Sequence, residues 1–152
     1  MEYKSLKTFV PQNAAKVIPA GNPACPVNGH DVYKTLAPHK TIVMACNIRI
    51  PLVIPGIMRA AKELDAVVAF ELAKTEGDLS GGYTGMTPAD FVRYVRGIAE
   101  RNQFPFENII LGGDHLGPSV WQNEPAESAM QKSMLMVKDY LEAGFLKIHL
   151  DC

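Results

Sequence analysis

Four short strand-like runs alternate with stretches of helix-spaced apolar residues, and few folds accept that alternation. The runs occupy 41–46, 66–70, 108–111 and 145–151. The first three are continuously apolar, the pattern of a strand covered on both faces. After the first run, Ile54, Ile57, Met58, Ala61 and Leu64 recur at helical spacing, with Arg59, Lys62 and Glu63 on the opposite side. Pro51 and Pro55 suit the first turn of that helix. After the second run, Thr87-Pro88-Ala89-Asp90 reads as a helix start: Thr at the N-cap, Pro at the first position, an acid at the third. Phe91, Val92, Val95, Ile98 and Ala99 supply its apolar stripe. A third helix covers roughly 126–143, where Met130, Met134, Val137 and Leu141 form a stripe read as core packing. Gly144 suits its C-cap.

The order is therefore βαβαβαβ, which implies a parallel sheet with right-handed crossovers. Two architectures fit: an open doubly wound sheet, or part of a (β/α)8 barrel. A barrel takes about 250 residues, whereas this sequence has 152 and stops just after the fourth run. The expectation is an α/β chain carrying about the first four strands of a TIM-type barrel, over 41–152, truncated and with an edge open to pairing. Residues 1–40 hold five of the 11 prolines and the turn signals Gly21-Asn22-Pro23 and Asn28-Gly29, so they read as an irregular arm.

Composition narrows the function classes. The chain is 47% hydrophobic and 20% charged with a net charge of −1, which excludes a disordered chain and leaves no basic footprint for nucleic acid. No apolar run reaches membrane-spanning length, and no signal-like start is present. A soluble, cytoplasmic protein is expected. Cys25, Cys46 and Cys152 are widely spaced, without C-x-x-C, which argues against a disulfide framework or a zinc ribbon. Cys46 reads as a small buried hydrophobe, and Cys25 and His30 as surface-loop residues.

Chemically capable residues collect where the strands end. Asn47, Glu71, the pair Asp114-His115, and His149 with Asp151 all follow or close an apolar run. Gly112 and Gly113 precede the Asp-His pair, and Gly117-Pro118 turns the chain away after it. A packed core has little use for such groups, whereas the carboxyl ends of parallel strands are where barrels do chemistry. The set suits metal-assisted acid–base work, with His115 as ligand to a zinc-like divalent ion and Asp114 moving protons. His149 and Asp151, two apart on a strand, face one side and read as substrate contacts or an added ligand. Asn47 and Glu71 read as further substrate-side residues.

The loop Gly81-Gly82-Tyr83-Thr84-Gly85 could cradle an anion with its N–H groups or serve as a hinge. It has neither the G-x-x-x-x-G-K-[ST] nor the G-x-G-x-x-G spacing, so nucleotide readings fall away. No G-x-S-x-G supports a nucleophilic hydrolase.

The segment Gly81-Gly82-Tyr83-Thr84-Gly85-Met86-Thr87-Pro88-Ala89-Asp90-Phe91 resembles that of the tagatose-bisphosphate aldolase Z-subunit family. The resemblance continues through 109–118, Trp121-Gln122, Ala143-Gly144-Phe145 and 147–151, with Pro51-Leu52-Val53-Ile54 fitting the first crossover. It runs from about Lys40 to the last residue. The family is related to class II, metal-dependent ketose-bisphosphate aldolases, which are (β/α)8 barrels. The resemblance implies that Asp114 is the acid/base aspartate and His115 the zinc ligand, manganese being an alternative ion, with other ligands on later strands. It implies a phosphorylated ketose or a related sugar acid as substrate.

Two loops depart from the family. Glu71-Leu72-Ala73-Lys74-Thr75-Glu76 stands where it usually has Glu-Ala-Thr-Ser-Asn-Gln, and Asn47-Ile48-Arg49-Ile50 where it tends to have Ser-Ala-His. Both border the substrate, and Lys74 and Arg49 read as loop cations able to meet a phosphate or carboxylate. The implied activities are aldol cleavage, or C4 epimerisation by retro-aldol and aldol steps. The alternative is a non-catalytic subunit that stabilises a separate aldolase subunit, and pairing of the half-barrel with itself is a further possibility.

Overall fold

The second and third apolar runs become the two central strands of the computed structural model, which describes residues 28–151. These are β2 (Val68–Ala73) and β3 (Ile109–Asp114), with β1 (Ala45–Asn47) outside one and β4 (Lys147–Ile148) outside the other. All pairings are parallel, in the order β1-β2-β3-β4. Among the described residues four α-helices accompany them: α1 (Gly29–Leu36), α2 (Ile54–Glu63), α3 (Pro88–Arg101) and α4 (Ala126–Ala143).

Side-chain alternation along the strands separates two faces. Val68, Phe70, Leu72, Ile109 and Leu111 point into one large core, joined by Ile54, Met58 and Ala61 of α2, Phe91, Val95, Ile98 and Ala99 of α3, and Met136 and Tyr140 of α4. Ala69 and Ile110 point the other way, where Val32 of α1 covers them. All three crossover helices thus lie on one side, and sequence neighbours are sheet neighbours throughout. A doubly wound sheet reverses its strand order and puts crossovers on both faces. The chain has the arrangement of four consecutive units of a (β/α)8 barrel, and the face partly covered by α1 is the one that turns inward in such a barrel.

On that inward face the register aligns Asn47, Glu71, Gly112 and Lys147 in one row across the four strands. Gly112 is glycine because a Cβ there would fall on the Glu71 carboxylate. With no side chain between them, Glu71 Oε2 and Lys147 Nζ meet over β3 at 2.8 Å.

Several expectations need correction. Part of the segment read as an irregular arm, Gly29–Leu36, is a helix capped by the Asn28 side chain; 1–27, with Cys25, and Cys152 lie outside the described residues. The run 41–46 yields only a three-residue strand, with Ile42 90% and Met44 68% exposed, because β1 has a sheet partner on one side alone. Cys46 is half-buried against the core. The expected bounds of the third helix match α4, but its methionine stripe faces outward: Met130, Met134 and Leu141 are exposed, and Ala129, Ser133, Met136 and Tyr140 face in. A helix with two adjacent apolar stripes leaves its inward face undetermined by spacing; here the small Ala129 and Ser133 allow close approach and Tyr140 fills the core.

The Thr87 reading holds in full. Thr87 Oγ1 accepts from Asp90 N at 3.2 Å, and the Asp90 carboxylate accepts from Thr87 N at 3.0 Å. The hydroxyl and N–H of Thr87 hold the Asp90 carboxyl below its ordinary value. Its contribution is therefore present above the ordinary aspartate range and is lost as pH falls through the lowered folded value. No helix among the described residues is long and apolar enough to cross a membrane.

Thr87→Ala is expected to lower unfolding stability by about 1 kcal/mol in urea at neutral pH, with the difference shrinking in acid as Asp90 protonates. Gly112→Ala is expected to cost about 1–3 kcal/mol by forcing Glu71 aside. Gly56→Ala, where an added Cβ meets nothing within 4 Å in α2, should gain about 0.5–1 kcal/mol in the same assay.

Candidate functional site

Above the Glu71–Lys147 row, β3 ends in Asp114, and β4 continues as an extended segment through His149 to Asp151. Backbone bonds stitch the two ends together: His149 N donates to Gly113 O at 2.8 Å, and Leu116 N to His149 O at 3.1 Å. Gly117 completes the seam, because a Cβ there would fall on the Asp151 carbonyl. Between the strand and the seam sits His115, with φ +110°. That is a conformation non-glycine residues rarely adopt, and it costs of order 1–3 kcal/mol.

The turn places three functional groups together. Asp114 Oδ1 lies 2.7 Å from His149 Nδ1, and Asp114 Oδ2 lies 2.8 Å from His115 Nδ1. The two imidazoles are 5.1 Å apart between centroids. Each ring donates Nδ1–H to the carboxylate in one neutral tautomer and then keeps Nε2 as its lone-pair atom. Asp151 Oδ2 lies 3.7 Å from His115 Nε2, and Asn47 Nδ2 donates to Asp114 Oδ2 at 3.4 Å. Both histidines are exposed, whereas Asp114 is half-buried.

Burial pushes the Asp114 carboxyl up, but the bond from His149, the His115 imidazole and the nearby Lys147 ammonium outweigh it and hold the group below the ordinary carboxylate range. It is a carboxylate, a proton acceptor, at neutral pH. Glu71 goes the other way: burial raises it despite the bond from Lys147. One Glu71 oxygen, Oε1, is buried without a hydrogen-bond partner.

Asp114, His115 and His149 offer ligand atoms within 4.8 Å of one another, one carboxylate oxygen and two imidazole nitrogens. The donor set fits a zinc-like divalent ion, which takes imidazole and carboxylate ligands and in catalytic sites keeps one position open. His149, read from sequence as a substrate contact or an added ligand, belongs to this group. Glu71 also differs from expectation. It stands within β2 rather than at its end, 3% exposed, tied to Lys147. Lys147 was missed by the sequence reading, although its place two residues before His149 on a strand puts both on one face.

The glycine-rich loop needs correction as an anion cradle. Gly81 N donates to Asp78 O and Gly82 N to Asp78 Oδ1, while Tyr83 N and Thr84 N bond the Thr75 and Glu76 carbonyls. The loop winds about Glu76, 2% exposed, whose carboxylate accepts from Ala73 N at 2.9 Å and the Tyr83 hydroxyl at 3.0 Å. These N–H groups are engaged within the loop and do not face a ligand. Lys74 is likewise held, paired to Asp78 at 3.0 Å and lying over Trp121 at 5.6 Å.

A family profile described as D-tagatose-1,6-bisphosphate aldolase subunit GatZ/KbaZ-like matches residues 32–152, beginning inside α1 rather than at Lys40. The D-tagatose-1,6-bisphosphate aldolase subunit GatZ of Salmonella choleraesuis is 51% identical over 108 residues, covering 70% of this chain and 26% of that protein. Its counterpart in Salmonella typhimurium is 50% identical over 113 residues, 74% of this chain and 26% of that protein. A crystal structure of a probable tagatose 6 phosphate kinase from Sinorhizobium meliloti superposes with TM-score 0.68 at 47% identity, over 72% of this chain and 28% of that one. The chain spans 26% of the length of the curated relatives it matches. On the strength of the match over 32–152, the chain belongs to the GatZ/KbaZ-like family of D-tagatose-1,6-bisphosphate aldolase subunits.

Proposed function

We propose that this chain contributes to metal-dependent aldol chemistry on a phosphorylated ketose in cytoplasmic carbohydrate metabolism. The observation that supports this most is the convergence of Asp114, His115 and His149 within 4.8 Å at neighbouring strand ends. The substrate class follows from the relatives: the Salmonella subunits are named for tagatose bisphosphate and the Sinorhizobium protein for tagatose phosphate.

In this reading His115 and His149 hold a divalent cation, zinc by donor preference and manganese as the alternative, together with ligands from beyond this chain. When bound, the ion polarises the ketose carbonyl as a Lewis acid. Asp114, ionised at neutral pH, takes the proton of the C4 hydroxyl. That oxygen's electron pair forms the new carbonyl, the C3–C4 bond breaks, and its pair stays on the carbonyl-bearing fragment. Rotation of the aldehyde, attack of that pair to re-form the C3–C4 bond, and return of the Asp114 proton to the C4 oxygen give C4 epimerisation; protonation of C3 and release of both fragments give cleavage. Lys147 keeps a positive charge near Asp114 and favours its ionised form, while Glu71 anchors Lys147. Asn47 and Asp151 flank the pair as substrate-side donor and acceptor, and Gly81 and Gly82 shape the loop beside β2.

The word subunit in the relatives' names favours a second reading, in which the chain stabilises a separate catalytic aldolase subunit or pairs with itself. Co-expression separates the two: a supporting subunit raises its partner's activity and shows none alone.

On the full-length product, His115→Ala and His149→Ala should each weaken zinc binding at least about tenfold, read by calorimetry. Unchanged zinc affinity in both would refute the metal assignment. Asp114→Asn should lower aldehyde release by about 10²–10⁴-fold, with unchanged release overturning its role as base.

A further inference from the structure

The inward face of α4 is apolar except for two hydroxyls, Ser133 and Tyr140, 6% and 0% exposed. They are seven residues apart, two helical turns, and so share one face. A buried hydroxyl without a partner is costly, and each of these donates to a loop carbonyl. Tyr140 Oη bonds Gly77 O at 2.5 Å, in the loop after β2, and Ser133 Oγ bonds Leu116 O at 2.6 Å, in the turn after β3.

The second bond bears on the site. Leu116 directly follows His115, whose φ of +110° is held against its own preference. The peptide before His115 is fixed by β3, and the peptide after it by Leu116 N donating to His149 O. Ser133 fixes the carbonyl side of Leu116, and the fully buried Leu116 side chain sits in the core. Leu116 is therefore held at N–H, side chain and carbonyl, and His115 has no relaxed backbone available to it.

We infer that Ser133 is a positioning residue of the site: through Leu116 its hydroxyl holds His115 in the strained backbone that turns the imidazole onto Asp114. The inference rests on the metal reading above for its functional consequence, but its geometric consequence does not. Tyr140 provides the comparison, since it anchors a different loop with a bond of the same kind.

The test uses the full-length protein and zinc as probe. Ser133→Ala should weaken zinc binding about tenfold, the scale seen when groups that orient metal ligands are removed. It should also shift the His115 imidazole nitrogen resonances in metal-free protein as the contact with Asp114 loosens. Ser133→Thr, which keeps the hydroxyl, should restore both. Tyr140→Phe should lower the melting temperature while leaving zinc affinity and the His115 resonances unchanged. The inference is overturned if Ser133→Ala leaves the His115 resonances unmoved, or if Tyr140→Phe weakens zinc as much. Wild-type protein that binds no zinc, with His115 still shifted by Ser133→Ala, would sink the metal reading and leave the positioning role standing.

Discussion

Glu71 and Lys147 come from strands that are not neighbours, and they touch because residue 112 of the strand between them has no side chain. Much of the inward face depends on that gap. Burying a carboxylate this deeply is unfavourable unless a cation compensates, and the raised Glu71 carboxyl shows that desolvation still outweighs the pairing. The arrangement is better understood as charge placement than as a source of stability. It holds an ammonium near Asp114, which adds to the bond from His149 and the His115 imidazole in keeping that carboxylate ionised while it stays half-buried.

The site above this row is built by cross-stitching two strand ends. Because β3 and β4 are parallel, the residues that follow them emerge side by side, and short backbone bonds lock the β3 turn onto the β4 extension. The strain at His115 is affordable in that setting, since every route to relaxation breaks a bond or exposes Leu116. The glycine-rich loop is the opposite case. It is long and glycine-rich, as ligand loops often are, yet its polar groups satisfy one another around a buried glutamate.

Much of this was legible in the residues. The alternation of runs and stripes predicted the element order, and Thr87-Pro88-Ala89-Asp90 located the start of α3, because capping chemistry is local in sequence. Asp114-His115 stood out because an ionisable pair at a strand end has no structural use. Lys147 did not stand out, because its meaning depends on Gly112 beside it on β3 and on Glu71 one strand further, on β2. The inward face of α4 was misread because Met130 and Met134 and the Ala129–Ser133–Met136–Tyr140 set are adjacent stripes of one helix, and only packing against α3 and the sheet selects between them.

The sequence by itself determined the barrel-type succession of units, the helix caps and the residue pair at the centre of the site, all carried by patterns within about a dozen residues. Tertiary structure decided that His149 joins Asp114 and His115 and that Glu71 is sequestered by Lys147. Those outcomes depend on strand register and on contacts between residues dozens of positions apart, and register is a property of paired strands that no single segment contains.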